Sequence, residues 1–133
     1  MMEFAEMTVK QGQDIKKSIM EWLVENKVKN AIFLNAIGSA KDLTVSNPLE
    51  HELPLKAVGT TFHEACEVTS LSGEACSWDA CDPTLLKVYP NRTDPMFLHL
   101  HISGAIIGGH TFGGGLWGGN AFRALRVFMM VEK

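Results

Sequence analysis

The stretch FLHLHIS, residues 97–103, alternates strictly: Leu98, Leu100 and Ile102 take one parity, His99, His101 and Ser103 the other. A period of two fits a β-strand with one buried face and does not fit a helix, whose apolar positions recur every three or four residues. A lone strand or hairpin is at best marginally stable, so a chain carrying this segment must build a sheet around it. A third histidine, His110, follows after a glycine-containing interval, and the chain has only five histidines.

Other segments supply the neighbours. EFAEMTV (3–9) predicts a short strand. Gly12 interrupts it, and Asp14 is placed to cap a helix. Ile15, Ile19, Trp22 and Leu23 fall at helical spacing, with Lys16, Lys17, Glu21 and Glu25 on the other faces, which predicts a helix over about 14–26. Ala31–Ile37 is a mostly apolar run of strand length, the pattern of a strand buried on both faces. Gly38 ends or bends it, and KDLTVSN (41–47) alternates with Leu43 and Val45 inward until Pro48. Residues 49–62 predict a further hairpin. ACEVTSLSGEA (65–75) reads as a strand whose internal glycine marks a bulge or tight bend. Residues 76–95 contain three prolines and predict a long surface excursion, with a short strand at Leu85–Tyr89. The last segment, NAFRALRVFMMVEK, suits a helix through Phe122, Leu125 and Met129 and a strand through Leu125, Val127, Met129 and Val131. Periodicity does not choose between them. No repeat or linker divides the chain. One helix among short strands predicts a single α+β domain over residues 1–133.

The chain has 133 residues, enough for one sizeable core and too few for two. Hydrophobic residues make up 46% and charged residues 20%, the balance of a folded chain rather than a disordered one. The net charge is −3 and the twelve lysines and arginines are scattered, which argues against a free-standing nucleic-acid binder. MMEFAEMTV does not resemble a secretory signal, and no segment approaches a membrane span, so a cytoplasmic location is expected. Cys66, Cys76 and Cys81 match no zinc-finger spacing and are expected as free thiols. The N-R-T at 91–93 matches a glycosylation sequon, which carries no meaning in a cytoplasmic chain.

His99 and His101 are two residues apart on a strand, so their side chains share a face about 7 Å apart. If Gly104 begins a turn and 108–112 returns beside the strand, His110 reaches the same face. Three imidazoles then converge on one point, each nitrogen about 2.0–2.1 Å from a zinc ion. Three histidines with no fourth protein ligand leave a position open, the arrangement of catalytic rather than structural zinc. The competing reading is a solvated polar face. His51 and His63 have no such partners and are expected at the surface.

GGHTFGGGLWGGN (108–120) contains G-x-G-x-x-G at Gly113, Gly115 and Gly118. A dinucleotide fingerprint also needs a following helix and an acidic residue about 20 positions on; only 15 residues follow Gly118, so that unit is not expected. The glycines fit tight turns and close backbone approach instead. Leu116 and Trp117 are large for such a loop and are expected at a subunit interface.

GQDIKKSIMEWLVENKV, NAIGSAKDLTVSNP, CEVTSLSGEA and LHLHIS…GGH occur in this order across nearly the whole chain. Together they resemble the PPC (plant and prokaryote conserved) domain family, in its bacterial form. The resemblance implies a compact α+β domain with an antiparallel sheet, one main helix near the N-terminus, a C-terminal strand, and assembly as a homotrimer. Plant members pair the domain with AT-hooks, basic R-G-R-P segments. This chain has none, so DNA is not expected as a partner despite the label that bacterial members often carry. The wider superfamily includes acetolactate decarboxylase and a zinc-dependent ester hydrolase, which hold zinc through three histidines, in the hydrolase as H-x-H-x8-H. His99, His101 and His110 repeat that pattern, and on the resemblance they are the expected ligands of zinc or another divalent transition metal.

Three function classes follow. The first is a metal-dependent hydrolase or lyase acting on a small molecule, with Glu67 or Lys41 as general acid or base and Arg123 or Arg126 holding an anionic substrate. The second is a trimeric binding or regulatory module, DNA-associated and without catalysis. The third is a sensor or carrier that binds metal or ligand without turnover.

Overall fold

The Asp14 side chain accepts a hydrogen bond from the Lys17 backbone N–H at 2.8 Å and starts helix α1 (Ile15–Glu25). Ile15, Ile19 and Leu23 then stack one turn apart, each wholly withdrawn from solvent. Burial of such side chains stabilises by about 1.5–3 kcal/mol each. In the computed structural model, which describes residues 1–89 and 92–133, this stripe joins Val9, Leu125 and Met129 in one core.

In chain order the other elements are β1 (Glu3–Val9), β2 (Asn30–Pro48), β3 (Ala57–Phe62), β4 (Cys66–Cys76), α2 (Pro83–Val88), β5 (Phe97–Ala105) and β6 (Thr111–Glu132). Every strand pairing is antiparallel, in the order β1-β6-β5-β4-β2-β3. An additional β6–β2 pairing closes β2, β4, β5 and β6 into a ring. The α+β reading, the antiparallel sheet and the N-terminal helix therefore hold. The C-terminal segment is strand: it runs between β1 and β2, and Leu125, Val127, Met129 and Val131 alternate into the core.

Three expectations need correction. β2 is not buried on both faces. Ala31 and Phe33 point inward, while Ile32, Leu34 and Ile37 stay 50–58% exposed. The core and α1 cover one face of the sheet only. The short strand expected at Leu85–Tyr89 is the helix α2: Asp82 accepts from the Thr84 N–H at 2.8 Å and Pro83 takes the first helical turn, where its missing N–H costs nothing. Cys76 and Cys81 are not free thiols but form a disulfide. The turn at Ser77 brings their Cα atoms to 5.8 Å, within bridging range. Only Cys66 is free and buried, and burial pushes its thiol pKa up. The bridge removes the free-thiol support for a cytoplasmic location. No helix among the described residues is long and apolar enough to cross a membrane. Asn91 of the N-R-T sequon lies outside the described residues.

Candidate functional site

His99 and His101 stand on the face of β5 that turns away from the core residues Leu100 and Ile102. Their rings are edge to face, with centroids 4.9 Å apart. The ladder fixes their surroundings. On β4, Glu74 lies opposite His99 and Ser72 opposite His101; on β6, Gly115 lies opposite His101. Gly73 secures this register. It has φ +150°, and a Cβ there would overlap the His99 carbonyl, so only glycine lets the two strands lie so close.

His110 does not join the pair within the chain. The Ile106 N–H donates to the His110 carbonyl at 2.9 Å, and Ala105 pairs with Thr111, so His110 closes the hairpin end. It sits five ladder positions beyond His101, roughly 16 Å at the rise of a strand. The sequence reading let the return strand begin at 108. The turn instead occupies 106–110, and the register slides a glycine to the place meant for a histidine. Among the described residues no three His, Cys, Asp or Glu side chains stand ready to hold a metal ion.

The pair borders two depressions. The smaller, about 330 Å³, is lined by Ile32, Ser72, Gly73, Glu74 and both histidines. The larger, about 650 Å³, lies on the other side, with Lys16 of α1, Ser46 and Asn47 of β2, and Trp117 of β6 along its walls. The excursion after β4 closes it with aromatic rings. Tyr89 lies 5.7 Å from His99 and 5.2 Å from Phe97, and Trp78 packs edge-on against Phe97 at 6.0 Å. The Trp78 indole N–H donates to the Asp94 carbonyl at 2.8 Å.

Burial above all, then repulsion from His101, lowers the pKa of His99; Glu74 opposes this and Lys16 adds to it. The balance favours neutral imidazole, the form that ligates metals and accepts protons. Among the described residues the only histidine with a side-chain hydrogen bond is His63, to Asp42 at 2.9 Å, on the surface where it was expected.

The remaining candidates lie elsewhere. Glu67 is on β4 but seven residues from Glu74, roughly 20 Å along the strand. Lys41 is exposed on β2, opposite Asn120. Arg123 is exposed, and its backbone N–H donates to Ser39. Arg126 pairs with Glu6 at 2.8 Å and lies over the Phe128 ring. None of the four lines either depression. Of the residues expected at an interface, Leu116 is buried in its own core, while Trp117 lies over Gly59 and faces the larger depression. Sequence reasoning missed Glu74, Lys16 and the aromatic wall. Glu74 had a usable signal, its exposed parity on β4, but only the register names His99 as its neighbour.

The family model of the Plants and Prokaryotes Conserved (PCC) domain matches residues 3–132. The chain belongs to this family, the PPC domains. No protein of curated function matches it. The PPC fold recurs in solved structures. A PPC protein from Pyrococcus horikoshii aligns over 100% of this chain and 83% of its own, at 21% identity and a TM-score of 0.73. A metal-containing protein from Archaeoglobus fulgidus aligns over 97% and 79%, at 22% identity and 0.74. A candidate DNA-binding protein from Bacteroides thetaiotaomicron aligns over 99% and 84%, at 18% identity and 0.70. At these identities the likeness is one of fold.

Proposed function

We propose that this PPC domain is a homotrimeric small-molecule-binding protein that holds a divalent transition metal, zinc first among candidates, at His99 and His101. The observation that carries the reading is the histidine pair itself. Two imidazoles lie 4.9 Å apart, without hydrogen-bond partners among the described residues, on the wall between two depressions. Two of the three histidines of the sequence pattern suit a metal, and His110 of the same chain does not.

A bound divalent ion supplies Lewis acidity toward a carbonyl or ester oxygen, which makes hydrolase or lyase chemistry the class to screen. The chain's own residues do the rest. Tyr89, Trp78 and Phe97 form an apolar wall that excludes water from a ligand in the larger depression. Lys16 offers an anion its only lysine or arginine partner among the residues lining that space.

Self-association is supported by the uncovered face of the sheet, the trimer being the form that the family resemblance implies. Phe4, Ile32, Leu34 and Ile37 are each about half exposed or more, an apolar surface that a second copy can bury. DNA is not favoured. The net charge is −3, Arg126 is paired with Glu6 and Lys56 with Glu50. Duplex DNA binding at low salt would reverse that judgement.

Elemental analysis of the purified protein beside His101→Ala tests the reading. About one ion per chain is expected in the wild type, with most of it lost in the variant. A wild-type chain that takes up no zinc, cobalt or manganese removes the metal site. An esterase and decarboxylase screen of the loaded protein then separates an enzyme from a carrier.

A further inference from the structure

We infer that Glu74 is the third protein ligand beside His99 and His101, in the place that the sequence pattern gives to His110. The inference rests on the reading that the histidine pair holds a metal ion.

Among the described residues, the ladder places one further His, Cys, Asp or Glu side chain beside the pair on this face. Around the pair, the β5 neighbours of the same parity are Phe97 and Ser103, and the position across from His101 is Ser72 on one side and Gly115 on the other. Glu74 faces His99 directly. Opposed residues of an antiparallel pair carry Cβ atoms about 4.5–5.5 Å apart on the same face. Glu74, His99 and His101 accordingly line one depression, and the carboxylate is near enough for its charge to act on the His99 ring.

The Glu74 side chain is exposed and has no ion pair or hydrogen bond among the described residues. As it stands it does not complete a metal cluster, so it must turn toward the rings. Nothing holds it back, and the backbone beneath it is fixed. The close approach at Gly73 locks the main chain of Glu74 and His99 together.

Two imidazoles and one carboxylate form a donor set different in kind from three histidines. It leaves several adjacent positions open and suits ions that take more than four ligands, ferrous iron, manganese and cobalt as well as zinc. The carboxylate also cancels one of the ion's two charges, and the adjacent open positions leave room for a ligand that binds through two atoms.

Cobalt titration of the full-length protein tests this, read by visible absorption and by metal stoichiometry after gel filtration. Glu74→Gln keeps the size of the side chain and removes its charge; thermal melts of each variant confirm folding. Wild type and His110→Ala are expected to bind one cobalt per chain with affinities within about twofold. Glu74→Gln is expected to bind about tenfold more weakly or worse and to show an altered cobalt spectrum. If His110→Ala loses the ion and Glu74→Gln keeps it, the inference is wrong and a metal at the histidine pair stands, completed by His110 of a neighbouring copy. If the wild type binds no ion at all, the inference falls with the reading beneath it.

Discussion

Gly115 lies directly across the β5–β6 ladder from His101. A side chain at that position would share the face of the histidine pair, and the chain has none to offer there. The nearest histidine in sequence, His110, is spent on closing the hairpin. Spacing along the chain and spacing in the sheet have parted company, and a turn of five residues is the reason.

The missing side chain can be restored. Gly115→His puts a third imidazole opposite His101. A Cβ at this position meets the Ser46 Oγ at 2.5 Å, so Ser46→Gly should accompany it. The double variant is expected to bind zinc about tenfold more tightly than wild type or better, measured by competition with a chromogenic chelator. Unchanged affinity would mean that the His101 ring does not face Gly115 in solution.

Gly73→Ala tests the joint that sets the register. The new Cβ would overlap the His99 carbonyl, and φ +150° is strained for any residue with a side chain. Destabilisation of roughly 2 kcal/mol or more is expected in urea melts, with metal affinity falling as well because the strands must part. A variant as stable as wild type would show that β4 and β5 approach less closely than described.

How much of this was readable in the sequence varies with the range of the cause. α1 and the alternation of β5 are local, and Asp14, Ile15, Ile19 and Leu23 or Leu98, Leu100 and Ile102 announce them without help. The histidine pair is local too, because residues two apart on a strand must share a face. His110 failed because register depends on which residues the turn consumes, and Ile106, Gly108, Gly109 and the histidine itself all suit a turn. Glu74 and Lys16 failed because they reach the site from other elements: the parity of β4 marks Glu74 as exposed, but nothing in either segment names the histidines as neighbours. Ile32, Leu34 and Ile37 read as buried because their apolar character is real; a single chain has nothing on that face to cover them.

That face yields a prediction. Leu34 is 50% exposed and lines neither depression. Leu34→Glu should leave the circular dichroism spectrum unchanged and convert a trimer to monomers in sedimentation velocity, since a carboxylate buried without a partner costs several kcal/mol per interface. A variant that stays trimeric would place the interface elsewhere, and a wild type that sediments as a monomer would remove the trimer.

The excursion that walls the larger depression is tethered by the Cys76–Cys81 bridge and capped by Asp82. Cys81→Ser, or reduction of the wild type, should cost about 2 kcal/mol by freeing a short loop in the unfolded chain. It should also loosen Trp78 and Phe97, which pack with the bridge, visible as a change in tryptophan fluorescence and faster proteolysis between residues 77 and 95. Asp82 adds a pH dependence. The Thr84 N–H, and after it the Thr84 hydroxyl, hold its carboxyl below the usual carboxylate range. A depressed folded pKa stabilises at pH values above the ordinary one, and the contribution fades as pH falls through the lowered value. Protease cleavage in the excursion should therefore accelerate on acidification below about pH 4, where an unperturbed aspartate takes up its proton, and Asp82→Asn, which cannot titrate, should flatten that response. An equal acid response in the variant would show that α2 opens for a reason unconnected with its cap.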